Sequence, residues 1–361
     1  MNNRLISLDA FRGFTVAAMI LVNYPGDWEN VYGPLLHAEW DEPITPTDLI
    51  FPFFLFIVGV SITLAYTRQL QSGKSKFDIQ KRVLWRAVKI FALGVFLNLF
   101  PAFDFSELRW PGVLQRIAVV FLVCALIFVN TSWKTQARLG VAFLLLYWVL
   151  MAFVPVPGLG TGVFEPGRNM AAWLDSLWLP GKMWEGTWDP EGILSSLPAL
   201  VTGISGMLAG HLIQSQLPAH KKLVGLYFAG FCSLAVGYLW GWVFPINKHV
   251  WTSSYVLYTS GLAALTLASF VWLIDELGYK RWTAVGVIYG SNAITAYFLA
   301  GVFGLFVSYP ESANLQSGMM SLFGGVGLSP RAASLAWALF YNLLCFLPVY
   351  FLYRRGLFIK L

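Results

Sequence analysis

Apolar runs long enough to cross a bilayer recur along nearly the whole chain, and no other feature restricts the fold as much. Each run holds roughly 17–25 residues, the length a helix needs to cross about 30 Å of hydrocarbon. Inside lipid the backbone must satisfy its own N–H and C=O groups, which leaves helices or closed barrels. The runs are too long for barrel strands and lack their two-residue alternation. The expected class is therefore all-α, a polytopic helical membrane protein. The chain is 57% hydrophobic and 12% charged, against about 25% charged in soluble domains. No soluble domain is visible, and one transmembrane domain over 1–361 is expected.

About ten spans are expected, near 11–24, 48–66, 83–100, 112–130, 139–155, 192–214, 223–243, 255–274, 284–306 and 331–352. Asp9 and Arg12 interrupt the first apolar stretch, and no small-residue cleavage site follows it, so it reads as a span and not as a cleaved signal peptide. With the N-terminus inside, the cytoplasmic segments carry Arg4, Arg68, Lys74, Lys76, Lys81, Arg82, Lys134, Arg138, Lys221, Lys222, Lys280, Arg281, Arg354, Arg355 and Lys360. The other side holds only Arg109, Arg168, Lys182, Lys248 and, at a boundary, Arg331. By the positive-inside rule both termini are cytoplasmic, and the loops about 25–47 and 156–191 are external. The acids, from Asp27 to Glu311, lean outward. The net charge of +6 reads as basic loops at a lipid surface, not as a nucleic-acid footprint. Cys124, Cys232 and Cys345 lie far apart in apolar runs and read as small hydrophobes; no metal-ligand spacing is present.

Ionisable groups beside a span are costly and are functional candidates. The external loop 25–47 holds His37, Glu39, Asp41 and Glu42 and leads into Asp48 at the start of the second span. His37 can take and give a proton near neutral pH. Asp48 reads either as a helix cap or as the carboxylate that orients His37. Asn23 ends the first span, and Asp9 and Arg12, three apart, read as an ion pair on one helix face. Arg82, Arg86 and Lys89 line one face of the third span, as snorkelling anchors or as a phosphate site. Gln115 and Arg116 sit at the start of the fourth span, where an arginine faces a cavity or a partner. Asp189-Pro190-Glu191-Gly192 reads as a capped helix start. Ser254 and Asn292 place polar groups in later spans, for interhelical hydrogen bonds or a wet cavity. Trp173, Asp175 and Trp178 mark a short amphipathic helix in the long external loop, either anchored at the interface or roofing a pocket.

Taken in order, these segments resemble the transmembrane heparan-α-glucosaminide N-acetyltransferases and their bacterial relatives. The matching stretches are Ser-Leu-Asp-Ala-Phe-Arg-Gly, Val-Asn-Tyr, His-Ala-Glu-Trp with Thr-Asp-Leu-Ile-Phe-Pro-Phe-Phe-Leu-Phe-Ile-Val-Gly, Gly-Val-Leu-Gln-Arg, Asp-Pro-Glu-Gly-Ile-Leu, Asn-Lys-x-x-Trp-Thr-Ser-Ser-Tyr and Ser-Asn-Ala-Ile, with the tail Tyr-Arg-Arg-Gly-Leu-Phe-Ile-Lys-Leu. The resemblance implies transfer of acetyl from cytoplasmic acetyl-CoA to a glucosamine amine across the membrane, with His37 as the catalytic histidine and Asn23 as its partner. It implies acetyl-CoA as cosubstrate. In the mechanism drawn from it, some of Arg82, Arg86, Lys89 and Lys360 would hold the phosphates, the arm would pass Gln115, Arg116 and Asn292, and Ser254 is a further candidate contact; no metal is expected. A bacterial inner membrane is the expected location, with His37 toward the periplasm. The external loops differ from those of animal members, so a small amino sugar or cell-wall fragment is the expected acceptor. Homodimerisation stays open.

Two chemical routes fit: His37 carries the acetyl group, or it deprotonates the amine for direct transfer. Direct transfer is favoured because it exposes no acyl intermediate to water. Asn23 would donate a hydrogen bond to the carbonyl oxygen as charge develops. The alternatives are a secondary transporter of amino sugars or cell-wall fragments, and an O-acetyltransferase of envelope polysaccharide.

Overall fold

The computed structural model describes residues 5–308 and 314–359, so Arg4, Glu311 and Lys360 lie outside the described residues. Among the described residues the helices are α1 (Ile6–Asn23), α2 (Ile50–Gln71), α3 (Lys76–Leu99), α4 (Val113–Asn130), α5 (Trp133–Phe153), α6 (Met170–Trp178), α7 (Ile193–Gln214), α8 (Ala219–Trp240), α9 (Ser253–Phe270), α10 (Ala284–Ser291), α11 (Ala293–Ser308), α12 (Leu315–Gly325) and α13 (Pro330–Arg354). A π turn, Val271–Glu276, follows α9.

Eight helical stretches among the described residues are long and apolar enough to cross a membrane: α1, Pro46–Gln71, α4, α5, α7, α8, Ser253–Glu276 and α13. α10 and α11 qualify together as a ninth, bent by 74°. The protein is therefore an all-α, polytopic membrane protein. The expected span at 83–100 is helical, as α3, but Arg82, Arg86 and Lys89 keep it out of this set. The expected span at 284–306 is broken because Asn292 leaves helical geometry (φ −134°, ψ 45°).

The chain divides into two units. The first holds α1, most of the His37 loop, the π turn and α10 to α13. Its α1 and α10 touch backbone to backbone. A Cβ on Gly13 would fall 1.7 Å from the Gly286 carbonyl oxygen, and one on Gly290 would fall 2.0 Å from that of Asp9. Small residues permit this approach, which replaces the hydrophobic drive that lipid removes. Arg12 Nη1 donates to the Gly290 carbonyl at 3.1 Å and lies 3.3 Å from Asp9 Oδ1, so the expected Asp9–Arg12 pair also ties α1 to α10. Asn342 Nδ2 donates to the Ala17 carbonyl at 2.6 Å, and Tyr289 OH donates to the Asn342 carbonyl at 2.6 Å.

The second unit holds Trp40–Glu42 and the chain from Pro52 to Ser269. Pro52 lies in the first turn of α2, where its missing N–H costs no helical bond. α2 and α7 repeat the close crossing: Cβ atoms on Gly59 and Gly206 would fall 1.9 Å from the carbonyl oxygens of Gly203 and Phe56. Pro198 is accommodated inside α7. A buried cluster around Tyr147, Met151, Val156, Met170 and Phe244 joins α5, α6 and the turn after α8. α6 buries Met170, Ala171 and Asp175 and leaves Leu177 and Trp178 exposed, so its inner face belongs to the protein core.

Candidate active site

In the first unit, the loop after α1 folds back on itself through one carboxylate. A 3-10 turn at Pro46–Leu49 is opened by Thr45 in a capping box with Asp48. Asp48 Oδ2 accepts the backbone N–H groups of Thr45 (2.9 Å) and Ala38 (3.1 Å). The Thr45 hydroxyl donates to the Leu36 carbonyl at 2.6 Å, and that of Thr47 donates to the Pro34 carbonyl at 3.1 Å. Asp48 Oδ1 lies 2.8 Å from His37 Nδ1. Asp48 is therefore both cap and histidine orienter.

The exposures differ in a way that matters: the Asp48 side chain is 1% exposed and the His37 side chain 42%. Asp48 Oδ2 is already an acceptor of two backbone N–H groups, and with Oδ1 accepting in the same way the proton sits on His37 Nδ1 and the lone pair on Nε2. The open end of the ring is thereby the basic and nucleophilic end. That geometry can accept a proton or an acyl group, the orienting role that a carboxylate plays for a base.

Asn23, half-buried in the same unit, is the last residue of α1. Among the described residues its amide has no hydrogen-bond partner, although a helix-end asparagine ordinarily finds one. The chain beyond it is fixed by α12 and α13: Gln316 Nε2 donates to the Gly26 carbonyl at 2.9 Å, and the Asp27 N–H donates to Ser334 Oγ at 3.0 Å. The Tyr24 and Tyr341 rings pack at 4.8 Å. α1 also packs on the Pro46–Leu49 turn that carries Asp48.

In the second unit, Arg116 is 2% exposed in the first turn of α4. Its Nη2 donates to Ser195 Oγ (2.5 Å) and to the Gly192 carbonyl (3.2 Å), and its guanidinium lies 5.2 Å from the Trp251 ring centre. Nε and Nη1 are buried with no partner among the described residues, as is Nε2 of the neighbouring Gln115. Unpaired buried donors are costly, and a ligand oxygen would satisfy them.

Asp189 does not cap α7 as expected. α7 begins at Ile193, its N–H donating to Asp175 Oδ1 at 2.8 Å. A Cβ on Gly192 would fall 1.8 Å from Asp175 Oδ2, so only glycine fits beside that carboxylate. Burial pushes the Asp175 carboxyl up to about 7, against the opposing pull of the Ile193 N–H and the Arg116 charge. Asp189 instead forms a two-pronged pair with Arg109, with Nε–Oδ2 and Nη2–Oδ1 both 2.7 Å. Glu191 joins through Arg109 Nη2 at 2.5 Å. Sequence reasoning missed Ser195 and this Arg109 cluster, and it gave Trp251 only as part of a motif with no contact to Arg116, because only long-range packing assembles them. The one available signal was the rarity of external cations.

The remaining candidates divide. Arg82 is exposed on α3, Arg86 lies 4.7 Å over the Phe121 ring, and Lys89 is half-buried, all on one helix flank of the second unit. Ser254 is fully buried, and its hydroxyl donates to the Phe244 carbonyl at 2.6 Å. Asn292, in the first unit, donates to the Leu357 carbonyl at 3.1 Å and accepts the Ile359 N–H at 2.8 Å, so its amide holds the C-terminal tail. Lys360 lies outside the described residues. Among the described residues no group of three or more His, Cys, Asp or Glu side chains is arranged to hold a metal ion.

Comparison with known proteins shows the family. Residues 4–240 match the family model described as heparan-alpha-glucosaminide N-acetyltransferase, catalytic. The heparan-alpha-glucosaminide N-acetyltransferase of Homo sapiens is 30% identical over 355 residues, covering 81% of this chain and 52% of that protein. The one of Mus musculus is 29% identical over 356 residues, covering 82% of this chain and 53% of that protein. The chain thus spans about half the length of the curated relatives it matches. A Na(+)/H(+) antiporter NhaA 1 of Mycolicibacterium gilvum is 29% identical over 137 residues, 35% of this chain and 21% of that protein. With the family model covering most of the sequence, the chain belongs to the heparan-alpha-glucosaminide N-acetyltransferase catalytic family.

Proposed function

We propose that this protein is a membrane-embedded, acetyl-CoA-dependent N-acetyltransferase that delivers acetyl to the amine of a glucosamine-type sugar on the non-cytoplasmic side. The observation that carries the reading is the 2.8 Å contact between His37 Nδ1 and buried Asp48, in a chain of this family. His37 Nε2 takes the proton from the acceptor ammonium, or from a neutral amine as its nitrogen bonds to the carbonyl, and Asp48 holds the ring and stabilises the imidazolium that forms. The amine then attacks the thioester carbonyl and the CoA thiolate leaves, taking up a proton. Asn23, whose amide has no partner among the described residues, donates to the carbonyl oxygen as negative charge builds there. In the variant route His37 itself attacks, and the acetyl-imidazole passes its acyl group to the amine.

The donor's phosphates fall to Arg82, Arg86 and Lys89, and the Arg116 Nε and Nη1 donors, which have no partner among the described residues, suit with the Gln115 amide the carbonyl oxygens of the donor's arm. Ser254 in the second unit and Asn292 in the first act as backbone clamps, each within its own unit. The bias of the basic segments supports a reading with both termini in the cytoplasm and His37 on the opposite side, and a bacterial inner membrane belongs to the same reading.

The test is transfer of labelled acetyl from acetyl-CoA to glucosamine by purified protein in liposomes, with N-acetylglucosamine as the acceptor that has no free amine. Transfer to glucosamine alone supports the reading; transfer to N-acetylglucosamine moves it to O-acetylation. A secondary transporter is the second reading, favoured by the 74° break between α10 and α11. Saturable acetyl-CoA binding belongs to the enzyme and not to the transporter.

A further inference from the structure

Both peptide groups that flank His37 are held by one short turn of the first unit. The peptide before it is held through the Leu36 carbonyl, which accepts the Thr45 hydroxyl at 2.6 Å. The peptide after it is held through the Ala38 N–H, which donates to Asp48 Oδ2 at 3.1 Å. The ring itself is held through Nδ1, 2.8 Å from Asp48 Oδ1. Thr45 and Asp48 are the two ends of the capping box that opens the Pro46–Leu49 turn, so the three contacts share one rigid base.

Capping alone does not explain Thr45. A cap uses only the lone pair of the hydroxyl, which here receives the Asp48 N–H. The hydroxyl proton is left over, and it goes to the Leu36 carbonyl, nine positions back. Asp48 Oδ2 is the poorer acceptor for it, at 3.2 Å and already receiving two backbone N–H groups. A β-branched side chain has few rotamers in which to lose that contact. Thr47 repeats the link further from the ring, its hydroxyl donating to the Pro34 carbonyl at 3.1 Å. The exposed end of the ring feels the consequence. The His37 side chain is 42% exposed, so packing does not fix where Nε2 points. Its two side-chain torsions are set instead by a fixed backbone on either side and a fixed Nδ1.

We propose that Thr45 is a positioning residue for the transfer reaction: its hydroxyl holds the peptide ahead of His37 and so aims Nε2 at the reacting amine. Thr45 acts through His37. The chemical part of the inference rests on the function proposed above, and the loop geometry does not.

The test compares Thr45→Val, which keeps the shape and loses the hydroxyl, with Thr45→Ser, which keeps the hydroxyl, in the full-length protein. Thr45→Val is expected to lower kcat for acetyl transfer to glucosamine by about 10- to 100-fold, with KM for acetyl-CoA within about twofold. Thr45→Ser is expected to stay within about threefold of the parent. Amide hydrogen exchange over residues 36–48, read by mass spectrometry, needs no activity. It should be about tenfold or more faster in Thr45→Val and near the parent rate in Thr45→Ser, with α13 unchanged in both. Parent-like kcat in Thr45→Val, an equal loss in Thr45→Ser, or unchanged exchange overturns the proposal. If Thr45→Val does not fold, Thr45→Ala, which only removes atoms, takes its place. The two readings fail separately. A parent that transfers no acetyl removes the enzyme reading and the catalytic part of this proposal, while hydroxyl-dependent exchange keeps the clamp on His37. Transfer that is indifferent to the hydroxyl removes Thr45 and leaves the enzyme.

Discussion

Asp48 Oδ1 accepts from His37 Nδ1 at 2.8 Å while its second oxygen receives the backbone N–H groups of Ala38 and Thr45. One carboxylate thus shapes the loop and sets the tautomer of the ring. Replacing His37 by Ala should abolish acetyl transfer while leaving acetyl-CoA affinity within about twofold. Asp48→Asn should keep the loop's acceptor oxygen but lose the tautomer, lowering kcat by about a hundredfold or more with little change in KM. Steady-state kinetics on both variants check this; full turnover by His37→Ala would remove the histidine from the chemistry.

The amide of Asn23 is proposed to meet charge that exists only in the transition state. Asn23→Ala should therefore lower kcat by about 10²–10³ and leave KM for acetyl-CoA nearly unchanged. A rise in KM with kcat intact would make Asn23 a ground-state contact instead.

Arg86 sits on α3 with its guanidinium over Phe121, one helix turn from both Arg82 and Lys89. If this flank reads the 3′-phosphate, Arg86→Ala should weaken CoA by about tenfold and dephospho-CoA much less. Equal losses for the two ligands, by competition binding, would assign Arg86 to packing alone.

The Asp175 carboxyl is held near pH 7 by burial. Its folded pKa lies above the unfolded one, so the native state binds the proton more tightly. Below about pH 4 the group is protonated in both states and costs nothing. Between there and pH 7 the burial penalty grows, reaching on the order of a few kcal/mol above pH 7. Asp175→Asn retains an acceptor for the Ile193 N–H and removes the ionisation. The melting temperature of Asp175→Asn relative to the parent should therefore climb as pH is raised from 5 to 8. A constant difference would mean that Asp175 titrates alike in both states.

The Gly13–Gly286 contact leaves no room for a methyl group, since the added carbon would lie 1.7 Å from a carbonyl oxygen. Gly13→Ala should separate α1 from α10 and lower thermal stability by roughly 1–3 kcal/mol or more. Gly318→Ala, where nothing lies within 4 Å, is the control and should be nearly neutral. Melting of both variants in the same detergent is the measurement.

Much of this molecule can be read from local sequence. Apolar length fixed the all-α class and most of the spans, because a helix that crosses lipid needs only its own residues to be apolar. The Asp48 role was open between cap and orienter, and both are realised, since eleven residues of loop can close on one carboxylate. The Asp189 start was misread because its local pattern fits a cap, while Arg109, eighty positions away, claims the side chain. Ser254 and Asn292 were legible as buried polar groups but not as backbone clamps, whose partners are carbonyls that carry no sequence signature.

The sequence by itself determined that the chain lives in a membrane, and that a histidine and an aspartate flank one loop. Both follow from short-range chemistry, the apolar length of a span and the reach of one turn. Tertiary structure alone decided where α10 and α11 break, that Arg116 Nε and Nη1 stay buried with no partner among the described residues, and that burial pushes the Asp175 carboxyl up to about 7. Those outcomes depend on which distant backbone approaches which side chain, and only the packed helices set that.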